Sequence, residues 1–189
     1  MIKRLVSLVA FASLALTAPS AWADAYSDTI DVFKKAGQSG RMFNTAYGYA
    51  VFPTIGKGGL VVGAAHGDGK VYEKGRYIGD TSLTQLSVGF QAGGQAYSEI
   101  IFFENEAALK TFTSGNFEFG ADASAVAVTL AADAKANTAG ASASASTSKD
   151  DARTAGRYYK GMAIYTVAKG GLMFEAAVAG QKFNYKPRK

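Results

Sequence analysis

The sequence contains no cysteine, one histidine, one tryptophan and only three prolines. Without cysteine the chain has neither a disulfide framework nor a thiol nucleophile, so its stability must come from an ordinary hydrophobic core. It also lacks the cysteine to which a bacterial lipoprotein attaches its lipid. A histidine-dependent catalytic triad would have to use His66, which lies beside a predicted turn. These absences favour a protein that is not an enzyme.

Recognisable active-site and metal-site motifs are also absent from the sequence. No serine lies in a Gly-x-Ser-x-Gly nucleophile elbow. The segment Gly56-Lys57-Gly58-Gly59 resembles a phosphate-binding loop only superficially, because the Walker spacing and the following Ser or Thr are missing. Asp68 and Asp80 could approach one another around a calcium ion, but no EF-hand spacing is present. We therefore expect no cofactor and no metal site.

Long apolar runs are missing, and the first 23 residues have the pattern of a secretory signal peptide. Lys3 and Arg4 form a positive region, residues 5–16 form a short apolar core, and Ala21-Trp22-Ala23 provides the small residues of a cleavage site. No apolar run reaches the roughly 18 residues of a membrane-spanning helix. We expect cleavage after Ala23 and export to the periplasm or out of the cell, with peripheral contact to the cell envelope.

The excess of positive charge is small. The chain has 20 Lys and Arg against 15 Asp and Glu, a formal charge of +5, and removal of Lys3 and Arg4 with the signal peptide lowers it to +3. A dedicated nucleic-acid-binding domain normally has a much larger excess, so we expect no nucleic-acid partner. Residues 24–189 have a length that suits a single domain with a sizeable core.

The N-terminal part of this domain, residues 24–46, is predicted to be helical. Tyr26, Ile30, Phe33 and Ala36 recur at helical spacing, and charged residues occupy the opposite face. Such an apolar stripe could lie on a membrane surface. The balance of acids and bases on the polar face favours packing against the domain's own sheet, because a surface-binding helix prefers mostly bases.

Residues 47–189 alternate short apolar strands with glycine-rich bends. A tight turn is predicted at His66-Gly67-Asp68-Gly69, a helix at Glu106–Thr113, a strand over Phe117–Leu130 and a mobile loop over Ala131–Asp151. Consecutive antiparallel segments with 22 glycines in the chain favour a closed or tightly curled sheet. The predicted fold is therefore α+β and β-dominated, an antiparallel β-barrel core with about three short helices packed outside and mobile loops.

One short phrase occurs twice in the barrel region. Thr54-Ile55-Gly56-Lys57-Gly58-Gly59-Leu60 returns as Thr166-Val167-Ala168-Lys169-Gly170-Gly171-Leu172, each time between two apolar runs. This pattern predicts a β-hairpin whose bend presents one lysine among glycines. A cation on such a bend can approach an anionic head group closely, which makes Lys57 and Lys169 candidate binding residues.

Further basic residues follow the first copy of the phrase. Lys70, Lys74 and Arg76 lie on the adjacent predicted strands and bends, and we predict that folding gathers them with Lys57 and Lys169 into one basic patch. Each cation near an anionic membrane contributes about 1 kcal/mol, so the patch predicts weak and salt-sensitive lipid binding. The alternative is a scattered set of solvated surface charges.

Four segments in this order resemble the SYLF lipid-binding domain. They are Gly48–Pro53, the Lys57-Gly58-Gly59 bend, Gln91–Gln95 and Phe119–Ser124, and the resemblance extends over about residues 46–185. The resemblance implies a β-barrel core with helices packed outside. It also implies non-enzymatic binding of phosphoinositides and other anionic phospholipids.

The chain departs from the SYLF pattern in ways that bear on its ligand. Tyr47 stands where many relatives have a lysine, which puts one head-group contact in doubt. Eukaryotic relatives join this domain to SH3 or FYVE modules, and some bind actin. This chain has no such module and begins with a predicted signal peptide, so actin is not an expected partner.

Three functions compete at this point. The leading hypothesis is an exported domain that binds anionic phospholipid head groups through the basic patch. The second is a structural or protein-interaction module of the cell envelope, working through apolar surface or through Ala131–Asp151. The third is an enzyme or carrier that holds a lipid inside the barrel, which an interior filled by side chains would exclude.

Overall fold

The computed structural model describes residues 20–59, 62–88, 95–120, 123–124, 127–130, 141–143, 157–170, 178 and 180–189. The helices in these segments are α1 (Ser20–Lys35), α2 (Gly37–Met42) and α3 (Glu106–Phe112). The strands are β1 (Gly48–Gly59), β2 (Val62–Glu73), β3 (Arg76–Val88), β4 (Gln95–Phe103), β5 (Phe117–Glu118), β6 (Val128–Leu130), β7 (Ala141–Ala143), β8 (Met162–Gly170) and β9 (Gln181–Pro187).

These strands form one sheet with the order β5-β9-β3-β2-β1-β4-β8-β6-β7. All neighbours are antiparallel except β6 and β8, which run parallel. Within the described residues, β5 and β7 are the edge strands, and no ladder joins them. The fold is therefore dominated by one mixed sheet, and it has the three short helices that the sequence predicts.

The sheet curls strongly, so that strands distant in its order come face to face. Phe52 of β1 and Phe183 of β9 have two strands between them, yet their ring centroids are 5.7 Å apart. In a flat sheet β1 and β9 would be three strand spacings of about 4.8 Å apart, so these two rings could not come this close. The curl produces a half-barrel with a concave and a convex face, which confirms the predicted fold class.

The concave face is filled by one aromatic core. Its largest side chains come from four strands, from α3 and from the segment after β5, and they are Phe52, Ile55, Leu83, Tyr97, Ile101, Phe103, Phe112, Phe119 and Phe183. Helix α3, which the sequence predicts, packs on this face through Ala108, Leu109 and Phe112. Asn105 caps its N-terminus, since the Asn105 side chain accepts a hydrogen bond from the Ala108 backbone N–H at 3.0 Å. This packing argues against a lipid carried within the described interior.

Helices α1 and α2 cover part of the convex face. Tyr26 and Phe33 of α1, with Ala36 at the start of α2, are buried against side chains that include Val51 and Phe102 on the sheet. Phe33 has no exposed surface, so the apolar stripe of α1 packs against the rest of the molecule. The interpretation of α1 as a helix docked on its own sheet is correct.

The predicted turn at His66-Gly67-Asp68-Gly69 is wrong, because β2 runs through these residues without a break. The two glycines serve close packing on the concave face. A Cβ atom on Gly69 would lie 2.6 Å from the Phe52 ring, and one on Gly67 would lie 2.7 Å from Ile55 Cγ1. The actual turn follows β2, where Lys74 and Gly75 adopt φ angles of +47° and +79°.

The predicted continuous strand over Phe117–Leu130 is also wrong. Among the residues of this range that the structure describes, β5 and β6 are the strands, and a short helical turn at residues 123–124 lies between them. The Ser124 hydroxyl accepts a hydrogen bond from the Val178 backbone N–H at 3.2 Å, so this polar side chain competes with a regular ladder. Strand β7 lies inside the predicted Ala131–Asp151 loop, and the rest of that segment lies outside the described residues.

Candidate functional site

The repeated lysines lie at one end of the sheet. Lys57 of β1 is directly opposite Gln95 of β4, and Lys169 of β8 lies beside Ala96, the next residue of β4. We call this the glycine-rich end, defined by Gly56–Gly59, Leu86 and Lys169. Both lysines belong to strands rather than to bends, because β1 extends to Gly59 and β8 extends to Gly170. The prediction that hairpin bends present them is therefore wrong.

The two lysines project from opposite faces of the sheet. Lys57 follows the buried Ile55 by two positions, so strand alternation directs its half-buried side chain to the concave side. The Lys169 ammonium instead donates a hydrogen bond to the Thr54 hydroxyl at 3.2 Å, and Thr54 lies on the convex side. Lys57 and Lys169 share one end of the sheet, and they can contact the same ligand surface only across the rim of that end.

Lys74 and Arg76 occupy the opposite end of the sheet. Lys57 pairs with Ala65 of β2, and Lys74 follows Ala65 by nine residues (74 − 65), which corresponds to about 30 Å of strand. The five predicted residues are therefore split, and the expectation of a single basic patch is not met. The lipid-binding role of each residue stays a prediction.

The charges at the Lys74 end are balanced by local partners. The Lys74 ammonium lies 4.7 Å from the centre of the Tyr47 ring. The Tyr47 hydroxyl donates to a Glu73 carboxylate oxygen at 2.6 Å, and this hydrogen bond raises the pKa of Tyr47 to about 12. Arg76 is paired in register with the same Glu73. Tyr47 thus contacts Lys74 through its ring and Glu73 through its hydroxyl.

Lys70 lies between these two ends and is enclosed by aromatic rings. Its ammonium is 4.5 Å from the centre of the Tyr26 ring on α1 and 5.3 Å from that of Tyr77 on β3. Asp80 lies directly opposite Lys70 in the β2–β3 ladder. A cation held by two rings and faced by a carboxylate is less available to an external anion. Lys70 therefore serves mainly to hold α1 on the sheet.

A feature that sequence reasoning missed lies on the convex face at the glycine-rich end. Leu86 of β3 is 78% exposed, and its neighbours across the ladders are the exposed Ala64 and Gly58. The adjacent Gln85 is buried on the concave side. This strand end is therefore inverted, with its polar residue inside and its apolar residue outside. The sequence signal is the alternation of Leu86 with Gln85, which is compatible with either orientation.

Gln85 is buried in the concave interior next to other polar side chains. Glu99 of β4 has no exposed surface, and one of its carboxyl oxygens accepts a hydrogen bond from the Gln181 side-chain amide at 2.9 Å. The same amide lies 3.2 Å from the Tyr97 hydroxyl. Burial raises the pKa of Glu99 to about 8, so this carboxyl is mostly protonated at pH 7. Gln85, which pairs with Gln181 in the β3–β9 ladder, completes a polar layer inside an apolar core.

The described residues contain no cluster of three His, Cys, Asp or Glu side chains able to hold a metal ion. In the same part of the chain, none of the helices combines the length and the apolar character that a membrane span requires.

Comparison with known proteins identifies the family. The model of the Ysc84 family, described as "Las17-binding protein actin regulator", matches residues 84–186. The chain belongs to this family. Its shared module is the SYLF domain, so the resemblance found in the sequence is confirmed. The matched region of the Ysc84 (SYLF) family runs from β3 to β9 and includes Leu86, Glu99 and Lys169, whereas Lys57 and Lys70 lie before it.

A curated relative is Beta cell expansion factor A of Aeromonas veronii, which is 27% identical over 158 residues. The aligned region covers 82% of this chain and 51% of the relative, so this SYLF protein spans about half the length of that relative. Family membership supports a lipid-binding or membrane-associated module in general. Neither the SYLF family nor this relative is known for an enzymatic activity.

Proposed function

We propose that this SYLF protein is an exported, non-enzymatic module that binds anionic phospholipid surfaces weakly and peripherally through its glycine-rich end. The observation that carries the proposal is Leu86, a large apolar side chain that is 78% exposed on a strand whose polar neighbour is buried. An exposed apolar side chain at the same end of the sheet as Lys57 and Lys169 suits a surface that is anionic outside and apolar beneath. Phosphoinositides and other anionic phospholipids meet this requirement.

The expected affinity is low. Lys57 and Lys169 each contribute about 1 kcal/mol near an anionic membrane, and burial of Leu86 contributes about 2 kcal/mol. The sum of about 4 kcal/mol corresponds to a dissociation constant on the order of 1 mM for a single contact. Because half of this free energy is electrostatic, we expect binding to weaken at high salt.

The predicted signal peptide supports the exported location. Helix α1 begins at Ser20, so cleavage after Ala23 would remove the first residues of this helix and leave Tyr26 and Phe33 in place. Export would bring the protein into contact with envelope phospholipids. N-terminal sequencing of protein recovered from the periplasm or the medium tests this part of the proposal, and an intact N-terminus on cell-retained protein contradicts it.

Co-sedimentation with vesicles tests the lipid contact. We expect the protein to bind phosphatidylglycerol vesicles better than phosphatidylcholine vesicles, and less well at high salt. Leu86→Asn should lower binding to the anionic vesicles, and Lys57→Gln with Lys169→Gln should lower both binding and its salt dependence. The matched control is Val32→Asn, which removes the exposed apolar side chain of α1 and should leave binding unchanged. Equal binding to both vesicle types at all salt concentrations contradicts the proposal.

A protein-interaction module of the cell envelope is the second candidate function. It is favoured by the edge strand β7, which pairs only with β6 among the described residues and so has one side of its backbone open to another strand. This alternative predicts a protein partner that co-purifies with the full chain and is lost when residues 131–151 are deleted. A deletion that leaves the co-purifying proteins unchanged counts against it.

A further inference from the structure

A groove on the convex face, outside the glycine-rich end, has no role in the contact proposed above. It has a volume of about 320 Å³ and crosses three neighbouring strands, β2, β3 and β9. Two rows of side chains line it. In one row Asp68, Ser82 and Asn184 are paired in register, and in the adjacent row Asp80 lies between Lys70 of β2 and Lys186 of β9. The volume is at the lower end of the range that small-ligand sites occupy.

The acidic wall of the groove is formed by Asp68 and Asp80. Both carboxylates add to the effect of burial in raising the pKa of Tyr26 on α1, so both lie within electrostatic reach of one hydroxyl group. Asp80 accepts a hydrogen bond from the Tyr77 hydroxyl at 2.7 Å, and an Asp68 oxygen lies 3.8 Å from the His66 ring nitrogen Nε2. Each carboxylate keeps a second oxygen that can accept a hydrogen bond.

The opposite wall carries a cation without a carboxylate partner. Among the described residues, no Asp or Glu oxygen lies within 4.0 Å of the Lys186 ammonium, although Asp80 is its neighbour across the ladder. Ser82 on β3 and Asn184 on β9 add a hydroxyl and an amide. The groove thus presents anions on β2 and β3, a cation on β9 and neutral hydrogen-bonding groups beside them.

The ligand that complements this arrangement is a zwitterion with a cationic and an anionic end. We propose that the groove binds a phosphoethanolamine group, with its primary ammonium between Asp68 and Asp80 and its phosphate at Lys186. A primary ammonium has three N–H donors, enough to bond both carboxylates and a neighbouring oxygen at once. The span from β2 to β9 is about 10 Å, which accommodates a head group of this size.

A quaternary ammonium does not suit the groove. It has no N–H donor for the carboxylates, and proteins usually hold it on aromatic faces. Of the neighbouring rings, Tyr26 and Tyr77 are already occupied by the Lys70 ammonium, and Tyr185 in the lining is held by a hydrogen bond from its hydroxyl to the Ile78 carbonyl. The groove should therefore distinguish ethanolamine from choline head groups.

The position of the groove is consistent with a phospholipid as the source of the group. Ser82 precedes Leu86 by four residues on β3 (86 − 82), and both lie on the convex face about 13 Å apart. A membrane contacted by Leu86 could thus present a head group to the groove. In this respect the inference rests on the proposed function, whereas the groove itself can be tested with a soluble ligand.

Titration of the full chain with soluble compounds, followed by NMR, tests the groove. We expect phosphoethanolamine to shift the signals of Asp68, Asp80 and Lys186, and phosphocholine and inorganic phosphate to bind at least about tenfold more weakly. Asp68→Asn and Lys186→Gln should each weaken phosphoethanolamine binding about tenfold, and Asp31→Asn on the exposed face of α1 is the matched control. Equal binding of the three compounds, or calcium binding in place of phosphoethanolamine, overturns the proposal.

Vesicles identify the source of the ligand. Phosphatidylglycerol vesicles are prepared with either phosphatidylethanolamine or phosphatidylcholine as the second lipid, and we expect tighter binding to the former, with the preference removed by Asp68→Asn. If soluble phosphoethanolamine binds and neither vesicle does, the groove stands and the proposed membrane contact fails. If both vesicles bind equally and soluble phosphoethanolamine does not, the membrane contact stands and the groove proposal fails.

Discussion

At the scale of single residues, the buried carboxyl of Glu99 is the least expected feature of the molecule. It shares one strand face with Tyr97, Ile101 and Phe103, and all four side chains are at most 1% exposed. An isolated carboxylate in such surroundings would cost several kcal/mol, so the group keeps its proton instead. Gln181 reaches it from β9, a strand that is not a neighbour of β4, and their hydrogen bond ties the two sides of the concave face together.

The raised pKa of Glu99 predicts a specific dependence of stability on pH. The folded state holds a proton up to about pH 8, whereas the unfolded chain loses it near the ordinary value of 4.5. The unfolded state therefore binds fewer protons between these pH values, and this carboxyl's contribution to the free energy of unfolding is largest below pH 4.5. It should fall by about 1.4 kcal/mol for each pH unit as the pH rises to 8, and then level off.

Urea unfolding of the wild type and of Glu99→Gln across pH 5 to 9 measures this effect. The glutamine variant keeps the shape of the side chain and has no proton to lose, so the difference between the two curves isolates Glu99. Glu104→Gln, a change at an exposed acidic residue just after β4, serves as the control and should follow the wild type. Parallel curves for wild type and Glu99→Gln would show that the carboxyl is ionised and solvated in the folded protein.

At the scale of elements, helix α1 owes its position to one face. Phe33 is fully buried in the core between α1, α2 and the convex side of the sheet, whereas the adjacent Val32 is 44% exposed. Cation–π contacts add to this packing, since the Lys70 ammonium reaches Tyr26 and the Lys34 ammonium lies 5.7 Å from the centre of the Phe43 ring. The helix is thus an integral part of the domain.

Substitutions at these two neighbouring positions test the docking of α1. Phe33→Ala should lower the free energy of unfolding by about 3 to 5 kcal/mol, because it leaves a cavity in a closely packed core. Val32→Ala should change it by less than about 0.5 kcal/mol, because the side chain is largely solvated. Chemical denaturation monitored by far-UV circular dichroism gives the free energy of unfolding of both variants. A small effect of Phe33→Ala would mean that α1 is not docked in solution.

The elements also show which structural features local sequence can predict. Helix α3 was predictable because the residues that start and end it are close to it in sequence. Asn105 caps its N-terminus, and Gly115 adopts a φ angle of +100° after it. The continuous strand β2 was not predictable. Gly67 and Gly69 leave room for the side chains of Ile55 and Phe52 on another strand, and they do not form a turn. Propensity alone does not reveal a close approach between distant segments.

The separation of the candidate lysines has a related cause. Val51 faces the convex side, and simple alternation would place Ile55 and Lys57 on the same side. A register shift between Val51 and Ile55 reverses the alternation, so Ile55 and Lys57 face the concave side. Pro53 lies in this irregular segment, and its carbonyl accepts a hydrogen bond from the Ser98 hydroxyl at 2.7 Å. A bulge of this kind depends on tertiary partners. The sequence could therefore indicate the candidate lysines and not the faces that present them.

At the scale of the whole molecule, the curl of the sheet decides what the protein can offer to a ligand. The concave side is occupied by the aromatic core and by the polar layer around Glu99. The convex side is covered by α1 and α2 over β1 and β4 and is open over β3 and β9, where Leu86 and the phosphoethanolamine groove lie. Leu86 and the groove therefore both use the part of the convex face that the helices leave uncovered.

The curl itself can be tested by a double-mutant cycle between Phe52 and Phe183. Their rings touch only because the sheet is curled, since β2 and β3 separate their strands. We expect the two alanine substitutions to be non-additive by about 0.5 to 1.5 kcal/mol in urea unfolding, because each removes part of a shared contact. Phe52→Ala combined with Phe33→Ala is the control pair, whose members belong to cores on opposite faces and should act additively within about 0.5 kcal/mol. Additivity in both cycles would indicate a flatter sheet, in which Phe52 and Phe183 do not share a contact.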